Sequence, residues 1–190
     1  MKLILASASP RRLEILKTII KDFEVIPADV DENLSIPQGE DYEKRLCMSL
    51  AQKKAQSVFE KHGSYVLGAD TLVFLDNQII GKPKSKTQAI NILKSLSGKT
   101  HKVITGVALV TKDGTIIDCE QTEVIFPIIS EKEIIDYIEK YKPYDKAGAY
   151  GIQEIKDIWV VKLKGSYTNV MGLPENTIKQ MLSLGEGYSV

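Results

Sequence analysis

Two cysteines, two histidines and one tryptophan in 190 residues leave little material for a centre built from sulfur and imidazole. Cys47 and Cys119 lie far apart, no CxxC occurs, and neither thiol stands at a metal-ligand spacing from His62 or His101. A zinc site is therefore not expected, and the thiols read as reduced, in a cytoplasmic protein. Charge of one sign is missing as well. The 25 basic residues balance 25 acidic ones, which argues against bulk binding of nucleic acid or of a membrane surface. No apolar run is long enough to cross a bilayer. Met1-Lys2 leads straight into Leu3-Ile4-Leu5 without a cleavage site, so that first apolar run reads as a structural strand rather than a targeting segment. There is no internal repeat and no low-complexity linker. What remains is an ordinary globular composition, 43% hydrophobic and 26% charged. The length suits a single domain, 1–190, with one lobe or two, and can bury a core.

The chain is organised around its beginning, Leu3-Ile4-Leu5-Ala6-Ser7-Ala8-Ser9-Pro10-Arg11-Arg12. An apolar run ends in small residues, Ser9 suits a helix N-cap, and Pro10 suits the first helical position. Leu13, Leu16 and Ile20, with Ile15 and Ile19, continue at helical spacing. Arg11 and Arg12 then fall in the first turn, where the helix already carries partial positive charge. Two readings stand for that turn. Free N–H groups, a hydroxyl and two guanidinium groups converge on a polyanion such as a phosphate chain, or the turn is merely basic and solvated.

Farther on, Phe23–Val30 reads as a strand, followed by Asp29, Asp31 and Glu32 and a loop with Pro37 and Gly39. Carboxylates there hold a hard cation or form a solvated turn. Asp41–His62 reads as a long helix. At about 100° per residue, Leu46, Cys47, Leu50, Ala51, Ala55 and Val58 share one arc, and Lys54 falls inside it. A lysine on the buried side either snorkels or meets an anion. Tyr65–Leu75 reads as a strand covered on both faces, and Asp70 interrupts it beside small residues. A carboxylate in that setting needs a partner or a task. Asp76-Asn77 turns into Gln78–Ile80, and Gly81-Lys82-Pro83 follows as an exposed corner bearing a cation. Ser85–Leu96 predicts a helix. His101–Thr111 and Thr115–Phe126 predict strands joined by Lys112-Asp113-Gly114. Ser130 and Glu133 form a capping box, and Pro143–Gln153 reads as a glycine-rich loop that either approaches a ligand closely or is a plain connector. Ile158–Leu163 predicts another strand, and Pro174 opens the last helix.

Taken together these residues resemble the Maf proteins, a family of nucleoside triphosphate pyrophosphatases also called septum formation inhibitors. The resemblance rests on Ser7–Arg12 with Glu14, Ala51–Ala55, Gly68-Ala69-Asp70-Thr71, Gly81-Lys82-Pro83, Leu96-Ser97-Gly98 with His101, and Thr105-Gly106-Val107. It continues through Asp145–Gln153 and Asn169-Val170-Met171-Gly172-Leu173-Pro174. It implies an α/β fold with a mixed central sheet flanked by helices and two lobes around a cleft, similar to the inosine triphosphate pyrophosphatases. It also implies hydrolysis of a nucleoside triphosphate to the monophosphate and pyrophosphate with a divalent cation, Mg2+ or Mn2+.

On this resemblance Asp70 is the base, and Glu32 and Asp70 are metal ligands. Ser7, Arg11, Arg12, Lys54 and Lys82 bind the phosphates, while Arg12, Thr71 and Gln153 govern substrate choice. Subfamilies preferring 7-methyl-GTP are expected to carry glutamine where Thr71 stands, so Thr71 with Gln153 looks like the branch acting on dTTP and UTP. A house-cleaning role in the nucleotide pool follows, and the family suggests a homodimer. Two rivals stay open: a pyrophosphatase for inosine or other modified purine triphosphates, and a non-catalytic nucleotide-binding regulator of cell division.

Overall fold

In the computed structural model, residues 2–34, 36, 38–156 and 158–184 are described; Met1 and Pro37 lie outside them. The chain divides by its internal contacts into two compact units. One is Met1–Thr71 with Ile104–Glu120 and Thr168–Val190, and the other is Leu72–Val103 with Gln121–Tyr167.

In the first unit, strand β1 (Leu3–Leu5) lies parallel to β2 (Phe23–Val25) on one side and to β3 (Tyr65–Leu75) on the other. Leu3 stands opposite both Phe23 and Tyr65. Strand β3 is followed in the sheet by β5 (Thr100–Thr111) and β6 (Gly114–Ile125). Period-two alternation builds the core on the two faces of this sheet. Leu3, Leu5, Leu67, Ala69, Val107 and Leu109 share one face with Ile15 and Leu16 of helix α1 (Pro10–Ile19) and with Ile178, Met181 and Leu182 of α7 (Glu175–Leu184). Ile4, Ala6, Val66, Ala108 and Val110 share the other face with Ala51, Ala55 and Val58 of α2 (Tyr42–His62). Alanines on α2 allow a very close approach to the sheet. A side chain on Gly68 would overlap the Ala51 carbonyl and the Ala55 backbone, and one on Gly106 would overlap the backbone of Cys47.

The second unit takes up the far halves of the long strands. Here β4 (Gln78–Ile80) pairs antiparallel with Val73–Leu75, through a turn in which Asp76 and Asn77 both have positive φ, 51° and 63°. Two such residues are what a tight hairpin turn needs. Strand β7 (Lys162–Lys164) pairs antiparallel with Glu123–Ile125. Helix α3 (Lys86–Leu96) packs on α4 (Glu131–Tyr141), and both start on serine N-caps, Ser85 and Ser130. The expected capping box is formed, with Glu133 reaching back to the Ser130 N–H at 2.8 Å. Among the described residues the sheet has seven strands and is mixed, with helices on its faces.

Three expectations need correction. Residues 158–161 are not a strand: Ile158 and Trp159 both donate to the Ile155 carbonyl, so the chain is still turning out of helix α5 (Ile152–Ile155). Trp159 is buried against Phe126 and Tyr137 while Ile158 and Val160 face outward, and Val160 has φ 47°. The early strand stops at Val25 rather than Val30, with one further bond from Ile26 N–H to the Leu5 carbonyl before Pro27. The glycine-rich stretch is not loop throughout: a 3-10 turn at Ala147–Ala149 is followed by α5, so Gln153 sits on a helix.

Candidate active site

The first helix begins as its sequence demands. Ser9 caps it by accepting the Arg12 N–H at 3.5 Å, with Pro10 in the first turn. From this turn the Arg12 side chain reaches the segment after β1 and the middle of β3. Its Nη1 donates to Ser7 Oγ at 3.2 Å, its Nη2 to Thr71 Oγ1 at 3.0 Å, and its Nε to the Gly172 carbonyl at 2.8 Å. Gly172 has φ 109° and follows the short helix α6 (Tyr167–Met171), a conformation that only glycine adopts readily and that aims its carbonyl at the guanidinium. Thr71 also meets Thr105 Oγ1 at 2.9 Å, and Thr105 donates to the Asn169 carbonyl at 3.0 Å. Burial lowers the Arg12 pKa from its ordinary value; attraction to Asp70 opposes this, repulsion from Arg11 adds to it, and attraction to Glu32 opposes it.

A second cation of the same unit is held by acid. The Lys54 Nζ lies 2.5 Å from Asp70 Oδ1 and 2.7 Å from Glu32 Oε1. The lysine and aspartate side chains are only 12% and 8% exposed, while Glu32 is 58% exposed at its end. The lysine placed on the buried arc of α2 thus meets an anion, and that anion is the carboxylate flagged inside β3. A buried ion pair loses hydration on both sides and lasts only where geometry and hydrogen bonding compensate. Neighbouring Lys53 donates to the Asp31 carbonyl at 2.6 Å, tying the loop that carries Glu32 to α2.

In the second unit the remaining expected residues fall on two adjoining segments. Lys82 is exposed on the corner after β4, and the Gly81 carbonyl there accepts the Gly148 N–H at 3.2 Å. Gln153 lies in the first turn of α5, and its side-chain Oε1 is a buried acceptor with no hydrogen-bond partner. The residue after it, Glu154, is anchored twice. It accepts from Tyr137 Oη at 2.5 Å and pairs with the buried Lys146 Nζ at 3.2 Å, and Lys146 also meets Asp145 at 3.1 Å. The same tyrosine oxygen accepts the Gly151 N–H at 3.1 Å. Burial and the bond to Glu154 raise the Tyr137 pKa.

Ser7, Arg12 and Thr71 are therefore one cluster, and Glu32, Lys54 and Asp70 a second whose charge reaches Arg12. Arg11 is half-buried and close enough to depress the Arg12 pKa. Among the described residues no three His, Cys, Asp or Glu side chains are grouped to hold a metal ion. Sequence reasoning gave no task to Thr105, Gly172, Lys146, Glu154 or Tyr137. Thr105 and Gly172 were present in the matched motifs, but only the fold shows what they touch.

The Maf family, described as Maf-like protein, matches this chain over residues 2–184. The chain belongs to the Maf-like protein family. Among its curated relatives, the dTTP/UTP pyrophosphatase of Thermosipho africanus (strain TCF52B) is 49% identical over 182 residues, covering 96% of this chain and 92% of the relative. The protein of the same name from Clostridium perfringens (strain 13 / Type A) is 45% identical, covering 100% and 98%. That from Thermococcus onnurineus (strain NA1) is 42% identical, covering 97% and 98%. The fold of this Maf-like chain is also similar to two solved structures of low identity. The Staphylococcus aureus Ham1 protein has a TM-score of 0.58 at 14% identity over 98% of this chain and 100% of its own. A HAM1 protein from Coxiella burnetii has a TM-score of 0.56 at 16% identity over 97% and 100%. Among the described residues no helix is long and apolar enough to cross a membrane.

Proposed function

We propose that this Maf-like chain hydrolyses dTTP and UTP to the monophosphate and pyrophosphate, as a house-cleaning enzyme of the cytoplasmic nucleotide pool. One observation carries the reading: Asp70 and Glu32 converge on a single cationic centre, and their charge reaches an arginine that is itself held by hydroxyls. A simple anion-binding protein needs the cations but has no use for the carboxylates. The relatives named for this activity, at 42–49% identity over nearly the whole chain, support the same reading.

In the proposed reaction a water attacks the α-phosphorus, the bond to the bridging oxygen breaks, and pyrophosphate leaves with that oxygen. Asp70 takes the water's proton, a role worth about a hundred- to ten-thousand-fold in rate. Lys54 holds the Asp70 carboxylate in place by their 2.5 Å contact. Arg11, Arg12, Lys54 and Lys82 offset negative charge on the leaving group, where positioning and charge dominate. Ser7 binds phosphate oxygen by hydrogen bond. Gln153 recognises the base, because its orphaned Oε1 accepts while its amide nitrogen donates, matching the N3–H and O4 edge shared by uracil and thymine.

A divalent cation fits the residues present. Two carboxylate oxygens already meet at one cationic centre, and hard oxygen donors of that kind suit Mg2+ or Mn2+, which take few protein ligands beside phosphate and water. Glu32 and Asp70 would hold it. Bound there, such an ion supplies charge neutralisation on phosphate and a lowered pKa for bound water. We assign the chain no nucleic-acid partner, and a homodimer as its assembly.

The test is turnover of dTTP, UTP, CTP, GTP, ITP and 7-methyl-GTP with magnesium and with manganese, read as pyrophosphate released. Preference for dTTP and UTP is expected. Preference for ITP or 7-methyl-GTP overturns the substrate assignment, and absence of turnover overturns the enzyme.

A further inference from the structure

The hydrogen bonds around Arg12 close into a ring whose hydroxyl protons have only one consistent arrangement. The Asn169 carbonyl can only accept, and it takes the Gly172 N–H at 2.9 Å and the Thr105 hydroxyl at 3.0 Å. A threonine hydroxyl has one proton, so that of Thr105 is used there. The 2.9 Å contact between Thr105 and Thr71 must then be donated by Thr71. Arg12 Nη2 has no lone pair to offer, so at 3.0 Å it occupies one acceptor position of the Thr71 oxygen. What Thr71 has left is a single lone pair.

Ser7 is left in the opposite state. Its oxygen accepts from Arg12 Nη1 at 3.2 Å and from the Ser9 N–H at 3.2 Å, which fills both acceptor positions and leaves the proton. The two amino groups of one guanidinium thus end on two hydroxyls of fixed and opposite polarity. Thr105, which sets the direction of the chain on the Thr71 side, is fully buried, as is Asn169.

We infer that Thr105 is a positioning residue: by taking the Thr71 proton it holds Thr71 as an acceptor, so that Thr71 recognises an N–H or O–H donor of the nucleotide while Ser7 offers its proton to a phosphate oxygen. This rests on the proposed nucleotide hydrolase reading. The donor is a hydroxyl of the sugar, or the imide N3–H of the pyrimidine with Thr71 in place of Gln153 as its acceptor, and the assay separates the two. Thr105→Val keeps the shape and removes the hydroxyl; Thr105→Ser restores it.

Each protein is assayed for kcat and KM with UTP, 3-methyl-UTP and 3′-deoxy-UTP, and its thermal midpoint is measured. Wild type and Thr105→Ser are expected to lose about tenfold or more in kcat/KM on one of the two analogues lacking a donor, the value of a hydrogen bond of roughly 1.4 kcal/mol. In Thr105→Val the Thr71 proton is released, and that discrimination is expected to fall below about threefold, on the scale of a hydrogen bond lost to free rotation. Unchanged discrimination in a folded Thr105→Val, or failure of Thr105→Ser to restore it, overturns the inference.

Neutron diffraction from crystals of the deuterated wild-type protein gives a reading that needs no turnover and no variant. A deuteron on Thr71 Oγ1 pointing at Thr105 Oγ1 supports the assignment, and one pointing away overturns it. A chain that cleaves no nucleotide while showing the expected deuteron would defeat the hydrolase reading alone.

Discussion

The ammonium of Lys54 and the carboxylate of Asp70 are 2.5 Å apart, and both side chains are almost wholly withdrawn from water. They come from different elements, the face of α2 turned toward the sheet and the middle of β3. Each would be costly there alone. The pair therefore couples a packing decision, which face of α2 is buried, to a chemical one, where the Asp70 carboxylate is held.

Asp70→Asn tests the chemical half. The amide has nearly the same shape and can still face Lys54, so nucleotide binding is expected to persist while kcat for dTTP falls by about a hundred- to ten-thousand-fold. Pyrophosphate release and calorimetric binding of a non-hydrolysable dTTP analogue separate the two. Turnover within a few-fold of wild type would remove Asp70 from the reaction.

The packing half is read by a double-mutant cycle. Lys54→Met leaves the buried Asp70 without its cation and is expected to cost about 3–5 kcal/mol of stability in urea unfolding at pH 7, the usual result of breaking one side of a buried pair. Lys54→Met with Asp70→Asn removes the uncompensated charge. The double variant should be more stable than Lys54→Met alone, and strict additivity would mean the two side chains do not interact.

For base choice, Gln153→Glu replaces the amide nitrogen donor with an acceptor. Its environment already holds Glu154 against Lys146 and Tyr137, so the second unit accommodates a carboxyl there at the cost of a like-charged neighbour. The ratio of kcat/KM for UTP over CTP is expected to drop about tenfold or more, because cytosine presents a donor where uracil presents O4. Equal ratios in the two proteins would take Gln153 out of base recognition.

Much of this arrangement was legible in the residues themselves. The Ser9 cap, Pro10 and the period of Ile15 and Leu16 placed α1, and so placed Arg12 in its first turn. Lys54 on an apolar arc and Asp70 in an apolar strand were each anomalies of burial, visible without coordinates. What local pattern does not carry is the partner: pairing Lys54 with Glu32 and Asp70, or Thr105 with Thr71, is decided by strand order and by the close seat of α2. Local propensity also misread 158–163. Its β-branched and aromatic residues suggest a strand, but burial of the Trp159 ring against Phe126 and Tyr137 turns the backbone instead.

Acid stability should report on His101. Burial lowers its pKa from 6.5 to about 4, and its Nε2 lies 2.7 Å from the buried Tyr150 hydroxyl. The unfolded chain takes up a proton near pH 6.5 that the folded one refuses until about pH 4. Stability is therefore full above pH 6.5 and declines as the pH falls toward 4, by about 3 kcal/mol in all. His101→Gln keeps a hydrogen-bonding group for Tyr150 and cannot titrate in that range. Urea midpoints between pH 7 and 5 should fall in the wild type and stay nearly flat in the variant; parallel curves would assign the acid loss to other groups.

Gly68→Ala links the packing of the sheet to the chemistry two residues along the same strand. A methyl group there meets the Ala51 carbonyl and the Ala55 backbone rather than a flexible side chain, so β3 and α2 must move apart. Overpacking of this kind costs about 1–3 kcal/mol, and for a chain of this size each kcal/mol lowers the thermal midpoint by about 2–4 °C. Because Asp70 rides on β3 and Lys54 on α2, the same shift loosens their 2.5 Å contact, and kcat for dTTP should drop together with the midpoint. Gly81→Ala, where a methyl group meets nothing within 4 Å, is the control and should leave the midpoint within about 2 °C of wild type. A Gly68→Ala protein as stable and as active as wild type would show that the helix does not hold the strand at this distance.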